Sequence, residues 1–246
     1  MKAVSRIAPP NCLDNDILEV RIKKERLYNT KEPWNGFSDS DKVCVRDELL
    51  VMFDGECAFC GKRLYSGDSG TQADHFLPQI SFKYLSLCWE NLILLCYNCN
   101  KIKGQFSPKS LDGKIFIERF METAKTTLKD SEVFEKNQVL KNCEDRLIDP
   151  SFDDPNEHIC FDPASRRFEH LTEKGRLTIE RIFNRSKSFD TILKKLSDEM
   201  KDAVDNESQP EQKRDLIIRI AGYSFFMLQF YNYWLKIKEK CGDSTK

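Results

Sequence analysis

The first 55 residues pass from irregular polar sequence to one helical repeat. Residues 1–37 show no regular apolar spacing. A basic run within them predicts a short helical stretch, and such a run most often only faces solvent. From residue 38 the apolar positions recur at helical spacing, with Ser38 or Ser40 as the N-cap and Gly55 at the end, which predicts one helix. The basic run contains Arg21, Lys23, Lys24 and Arg26, and the helical repeat contains Val43, Asp47, Leu50 and Val51.

Residues 57–104 change to short apolar runs between turn-rich segments. The runs TQADHF at 71–76 and NLILLC at 91–96 have the length and composition of two short strands. An irregular loop from Leu77 to Glu90 separates them, and residues 96–104 predict the start of a short helix. The segment therefore predicts a strand, a loop, a second strand and a helix in close succession.

The rest of the chain alternates helices with loops. An amphipathic repeat predicts a helix within 111–145, and prolines make 146–170 loop-rich because each disfavours helix in the residue before it. A second apolar stripe predicts a helix near 189–200, followed by an acidic linker at 205–211. The stripes contain Ile117, Phe120, Met121, Ala124 and Leu128, and then Phe189, Ile192, Leu193, Leu196 and Met200.

Residues 216–238 are apolar on almost every face and predict one long helix. The stretch contains Arg219, Gln229 and Asn232. A membrane span is disfavoured because a central arginine alone costs about 2.5–3.5 kcal/mol on insertion scales. Burial in the protein's own helical core and burial against a partner protein both stay open.

Composition narrows the classes of protein. The chain has 246 residues, 40% of them hydrophobic, enough for one large or two small cores. Its net charge of −1 argues against general coating of nucleic acid, so attraction for phosphate must come from a local patch. Residues 1–16 lack the apolar core of a secretory signal, so we expect a cytoplasmic protein that binds no membrane.

Four of the ten cysteines form two matched pairs. Thirty-five residues separate Cys57 and Cys60 from Cys96 and Cys99. Two residues between thiolates let both sulfurs bind one ion from a tight turn, and two such turns complete a tetrahedral site. A redox motif needs only one pair. The spacing therefore predicts a closed structural zinc site that takes no part in catalysis.

The segment between the pairs carries the candidate chemistry. Asp74 precedes His75, one of three histidines, on the first predicted strand. Asn91 follows sixteen residues later and Asn100 nine beyond that, on the predicted helix. This arrangement resembles the HNH ββα-metal nuclease motif, in which an Asp-His pair on a strand faces a helix across a hairpin.

The resemblance implies a role for each of these residues. His75 would be the general base, Asp74 and Asn100 the ligands of a catalytic metal, and Asn91 the residue that holds the loop beside the histidine. The last motif position is asparagine, which gives an H-N-N variant. Because an amide oxygen is a harder ligand than imidazole, this variant favours Mg²⁺ or Mn²⁺.

Two lysines at the end of the predicted helix are candidates for nucleic-acid contact. Residues 57–114 contain seven basic and four acidic residues, an excess that suits a phosphate-facing surface. Lys103 is the leading candidate and Lys101 the second. A lysine that only favours the helix dipole is an equal alternative for Lys103.

The resemblance extends to the PtuB-like, retron-associated HNH nucleases. That family implies a PtuA-like ATPase of the ABC/SMC kind as partner in a Septu or retron anti-phage system, and a retron reverse transcriptase with its RNA–DNA hybrid as a further partner. The apolar helix at 216–238 is then either a docking surface for such a partner or part of the core. The segments that carry this wider resemblance are 147–150, 153–155, 158–161, 175–179 and 184–185.

The sequence as a whole predicts an α+β protein, mostly helical, around a zinc-bound, treble-clef-like HNH core. We expect an arm and helix at 1–54, the nuclease core with its four-cysteine zinc site at 55–110, and a helical region at 111–246. The expected activity is metal-dependent endonuclease cleavage of phage or host DNA. Two alternatives stay open: cleavage of RNA, particularly tRNA, and a non-catalytic zinc-ribbon module that binds nucleic acid.

Overall fold

The computed structural model describes residues 1–109, 143–184, 187–206, 210–221 and 223–243. Within these ranges the chain forms seven α-helices and two small antiparallel sheets of two strands each. The expected mixture of helices with small sheets is thus confirmed. The apolar stripe of the helix predicted within 111–145 lies outside the described residues.

Two helices, α1 (Leu18–Tyr28) and α2 (Asp39–Met52), precede the first cysteine pair. Ser38 caps α2 as predicted: its side chain accepts the Asp41 backbone N–H, and the Asp41 carboxylate accepts the Ser38 backbone N–H. This reciprocal capping satisfies two backbone donors that a helix start otherwise leaves free.

The buried face of α2 differs from the predicted one. Val45, Leu49 and Met52 lie in the core, whereas Val43 and Val51 are exposed. Both sets recur at helical spacing, so apolar periodicity alone does not distinguish them. The contacts of α2 with the first hairpin decide which face is covered.

The first hairpin has the predicted strands. Strand β1 (Thr71–His75) pairs antiparallel with β2 (Leu92–Cys96), so that Thr71 lies opposite Cys96 and His75 opposite Leu92. Every residue of β2 is buried, which fits its unbroken apolar run. Helix α3 (Tyr97–Lys103) follows β2 without a loop. The loop between the strands contains two 3₁₀ turns, Lys83–Leu85 and Trp89–Asn91.

A second hairpin lies where the sequence predicts only loop. Strands β3 (Ile159–Asp162) and β4 (Arg167–His170) pair antiparallel, so the loop prediction for 146–170 is wrong in this part. Ile159 and Phe161 point inward and Cys160 outward, which is the alternation of a strand. An alternation with only two inward-facing apolar residues is too short to be recognised as a strand from the sequence. Helix α4 (Glu173–Thr178) follows and continues into a π-helical turn, Ile179–Phe183.

Three helices complete the described chain: α5 (Lys187–Asn206), α6 (Pro210–Ala221) and α7 (Ser224–Asp243). The prediction of one helix over 216–238 is wrong, because the chain breaks at Tyr223, whose φ of +59° lies in the left-handed region. Phe226, Met227 and Phe230 of α7 are buried. In the described ranges no helix is long and apolar enough to cross a bilayer.

A buried ion cluster joins the segment before β3 to α4. Arg146 donates from Nη2 to Asp153 Oδ1 at 2.7 Å, and Lys174 Nζ lies 3.4 Å from the same oxygen. Burial would raise the pKa of Asp153, but the hydrogen bonds and charge of Arg146 outweigh it and hold that pKa below its usual range.

We expect the contribution of Asp153 to stability to disappear in acid. Because its folded pKa is depressed, the unfolded chain binds more protons, so this stability is present above the unfolded pKa and is lost as pH falls through the folded pKa. Asp153→Asn should cost about 3–5 kcal/mol at about pH 7 and much less at about pH 3, measured by urea unfolding. Glu157→Gln, at an exposed position, is the control. A cost that stays constant with pH would contradict this account.

Candidate active site and metal centre

The four paired cysteines come together as their spacing predicts. All four are buried, and their sulfurs lie within 4.8 Å of one another. The Cys60 and Cys96 sulfurs are 3.8 Å apart. A tetrahedral ion with Zn–S bonds of about 2.3 Å needs sulfurs about 3.8 Å apart, so the cluster fits zinc in both donor type and spacing.

Local backbone geometry forms each half of the cluster. After the first pair, Gly61 takes a φ of +72° and donates its N–H to the Cys57 carbonyl at 2.9 Å, which closes a tight turn. In the second pair, Cys96 is the N-cap of α3, and its sulfur accepts the Cys99 N–H at 3.4 Å. Hydrogen bonds from the neighbouring thiols, Cys57 first, bring the pKa of Cys96 far below the usual thiol range. The thiolate is the form of cysteine that binds zinc.

The C-terminal helices cover one side of this cluster. Cys60, Cys96 and Cys99 share a small cavity with side chains from the π-helical turn, from α5 and from the break before α7. At that break the Tyr223 N–H donates to the Gly61 carbonyl at 2.5 Å. The Ser224 hydroxyl donates to the Glu56 carboxylate at 3.0 Å. The covering side chains include Ile182, Phe189, Ile192 and Tyr223.

One face of β1 lies against α3. The Asn100 amide donates to Gln72 Oε1 at 2.7 Å, and Lys103 Nζ donates to Asp74 Oδ2 at 2.7 Å. Residues two apart on a strand share a face, and residues three apart on a helix do the same. The structure therefore brings Asp74 and Asn100, both predicted metal ligands, to one interface between β1 and α3.

The lysine at the end of α3 is buried on the Asp74 carboxylate. Only 1% of the Lys103 side chain is exposed, against 18% for Asp74. Lys101, two residues earlier, is exposed. The carboxylate of Asp74 is thus already paired with a cation in this structure, and the Asn100 amide lies at the same interface. Carboxylate and amide oxygens suit Mg²⁺ or Mn²⁺, so this pair fits the implied catalytic metal.

His75 lies at the end of β1, with its ring packed away from the Gln72 side of the strand. Its Nε2 is 2.9 Å from the Ser86 carbonyl, and the Trp34 ring meets it edge-on with the ring centroids 5.2 Å apart. A carbonyl only accepts, so Nε2 carries the hydrogen and Nδ1 of the neutral ring keeps a lone pair. Burial lowers the pKa of His75. The hydrogen bond to Ser86 and the charge of Asp74 raise this pKa by less, and the charge of Lys103 lowers it further.

Asn91 joins both ends of the loop beside His75. It is fully buried, accepts the Leu77 N–H at 2.9 Å, and donates to the Leu77 and Leu85 carbonyls at 3.0 and 3.1 Å. The next residue after Leu85 is Ser86, whose carbonyl holds the His75 ring. Asn91 therefore fixes the loop that orients the predicted base.

Three contributors escape the sequence prediction. Gln72 holds Asn100, and its position two residues before Asp74 on one strand is the signal that could have revealed it. Ser86 acts through its backbone carbonyl and leaves no side-chain signal. Arg181, in the π-helical turn, donates to the Lys103 carbonyl at 3.0 and 3.3 Å from 78 residues away, which no local pattern predicts.

Two comparisons with known proteins find a similarity. Residues 57–106 match the family model of the HNH endonucleases. The Septu protein PtuB of Bacillus thuringiensis is 23% identical over 198 residues, covering 76% of this chain. The chain therefore contains a segment similar to the HNH endonucleases and is similar to a PtuB protein over most of its length.

The match to the HNH model spans the four paired cysteines and the residues from Asp74 to Lys103. The aligned region covers 61% of the Bacillus protein, so the chain spans about three fifths of the length of that relative. No solved structure matches the chain significantly.

Proposed function

We propose that this PtuB-like protein is a metal-dependent HNH endonuclease that hydrolyses phosphodiester bonds of DNA. The observation that carries the proposal is the position of His75. Its ring is buried, neutral and oriented by the Ser86 carbonyl, at the end of the strand where Asp74 meets α3. A zinc-ribbon module that only binds nucleic acid needs neither this histidine nor the carboxylate beside it.

The residues divide the chemistry among them. Asp74 and Asn100 would hold the divalent cation, which would neutralise charge on the phosphate and on the departing 3′ oxygen. Nδ1 of His75 accepts the proton of the attacking water. The Asp74 carboxylate favours the imidazolium that results, since it raises the pKa of His75. The cysteine cluster would hold zinc, which would keep β2 and α3 in place and stay outside the reaction.

Lys103 has two roles in this proposal. Without a bound cation its ammonium neutralises Asp74, which would otherwise be a poorly compensated carboxylate. With a divalent cation bound at that carboxylate, the Lys103 ammonium would be free to bind a phosphate oxygen of the nucleic acid. Lys101 is exposed on the same helix and contributes a weaker phosphate contact.

The biological setting follows from the relative's description as a Septu protein. We propose that the chain is the nuclease of an anti-phage defence complex and that a PtuA-like ATPase is its partner. The comparisons give no support to a retron reverse transcriptase as a further partner. The proposed docking contacts are apolar residues of the last two helices that are 38–47% exposed to solvent: Leu216 of α6, and Leu228 and Ile237 of α7.

The test is cleavage by the purified chain, alone and with the co-expressed ATPase. Supercoiled plasmid, single-stranded DNA and tRNA are offered with Mg²⁺, with Mn²⁺ and with EDTA. We expect metal-dependent cleavage of DNA that EDTA abolishes. If tRNA is cleaved and neither DNA is, the substrate is RNA and not DNA. Binding without cleavage by the zinc-loaded protein under every condition would favour the binding module.

Lys103→Met should tighten binding of the catalytic metal. The variant removes the ammonium that competes for Asp74, and we expect the Kd for Mn²⁺ to fall by about tenfold, or about 1.4 kcal/mol. Titration calorimetry on zinc-loaded protein measures this directly. Lys101→Met is the matched control and should leave the Kd unchanged. Unchanged or weaker Mn²⁺ binding by Lys103→Met would mean that the cation does not use Asp74.

A further inference from the structure

A buried arginine from the start of the chain holds the backbone on both sides of Asn91. Arg6 donates from Nη1 to the Trp89 carbonyl at 2.7 Å and from Nη2 to the Leu92 carbonyl at 3.1 Å. Trp89 in turn donates its indole N–H to the Ile7 carbonyl at 2.9 Å. The arm at residues 1–10 therefore binds the end of the loop that Asn91 closes.

An aspartate from the segment before the second hairpin supplies the opposite charge. Asp149 is 1% exposed, and its Oδ1 accepts the backbone N–H and the hydroxyl of Ser151. Among the described residues, neither Asp149 Oδ2 nor Arg6 Nε has a hydrogen-bond partner. Each charge lowers the cost of burying the other. The backbones are also joined, because the Val4 N–H donates to the Pro150 carbonyl at 2.7 Å.

These contacts form a continuous path to the candidate base. Arg6 fixes Trp89 and Leu92, which flank Asn91. Asn91 fixes the Leu85 carbonyl, and the adjoining Ser86 carbonyl fixes the His75 ring. A displacement of the 89–92 backbone would therefore move the one acceptor that selects the His75 tautomer.

We infer that Arg6 and Asp149 are positioning residues that hold His75 in its Nε2–H tautomer through the Asn91 loop. The inference rests on the proposed function, because that function gives His75 its catalytic task. A guanidinium suits the position, since its planar fork reaches two carbonyls together while a lysine ammonium is a single compact point.

The test reads the tautomer and the kinetics separately. Nitrogen NMR of the three imidazoles, assigned with a His75→Gln sample, should show a single Nε2–H form of His75 in the native chain. Arg6→Met and Asp149→Asn should mix the two tautomers. They should also lower kcat by about 10- to 100-fold with little change in KM, because small misplacements of a catalytic group have effects of this size. Arg6→Lys should be intermediate.

A burial-matched control separates positioning from general destabilisation. Arg146 is also buried and ion-paired, and its guanidinium bonds to Asp153 and to the Leu147 carbonyl. Arg146→Met should lower the unfolding free energy and leave the His75 tautomer unchanged in the folded fraction. The inference would be overturned if all three variants, Arg6→Lys, Arg6→Met and Asp149→Asn, kept a single His75 tautomer and the native kcat. If the native chain cleaved no nucleic acid, that result would count against the proposed function. The NMR result would still decide whether Arg6 and Asp149 position His75.

Discussion

His75→Ala should lower the rate of DNA cleavage by about 10²–10⁴-fold at saturating Mg²⁺, while its zinc content and helical structure stay native. The variant removes the Nδ1 lone pair that accepts the proton of the attacking water. It also removes the hydrogen bond to Ser86, which costs about 1–3 kcal/mol of stability because the buried carbonyl loses its donor. Initial rates of plasmid nicking, corrected for the folded fraction, measure the effect.

His170→Ala is the matched control for this variant. His170 lies on β4 with an exposed side chain, so its removal should leave the nicking rate unchanged. His75→Asn, which restores a donor toward Ser86 without a comparable base, should regain stability and stay inactive. Native activity in either His75 variant would contradict the assignment of His75 as the general base.

Cys96→Ser should abolish zinc binding and unfold the region around β2 and α3. A hydroxyl is a poor replacement for the thiolate, and structural zinc contributes about 10–16 kcal/mol of apparent binding free energy at neutral pH, more than a typical domain's stability. We expect less than one zinc per chain by elemental analysis, loss of the near-UV circular dichroism signal and aggregation during purification.

Cys88→Ala tests whether any buried cysteine would behave in this way. Cys88 is fully buried in the loop between β1 and β2 but lies outside the four-sulfur cluster. Its loss should cost local packing and its hydrogen bond to the Glu90 carboxylate, about 1–2 kcal/mol, and leave one zinc per chain. A folded Cys96→Ser protein with native zinc content would show that the cluster is not the zinc site.

The sequence predicts those parts of the site that depend on local spacing. The cysteine pairs, the strands at 71–76 and 91–96 and the Ser38 cap each follow from residues close together in the chain. The ion pair of Lys103 with Asp74 depends instead on how α3 packs across β1. The contact of Arg6 with Trp89 spans 83 residues. No short pattern encodes such distances, so these partners appear only in the folded chain.

The errors in the predicted fold have the same physical origin. Residues 216–238 are apolar on nearly all sides, so hydropathy gives no sign of the break at Tyr223. Gly222 in the sequence is the available signal, because helices often end at glycine. On α2, two apolar faces compete and only tertiary contacts choose between them. In β3 and β4 the alternation of apolar and polar residues is too short to be distinguished from a chance arrangement.

The cover over the cysteine cluster affects how long a metal ion would stay there. Cys60 and Cys96 face a cavity lined by Phe189 of α5 and by Tyr223, which is itself hydrogen bonded to the first cysteine turn. These side chains restrict the approach of a chelator or an oxidant to the sulfurs. A shortened protein that keeps residues 55–110 alone would retain all four ligands but lose this barrier, and would exchange its zinc and oxidise its thiols faster than the whole chain.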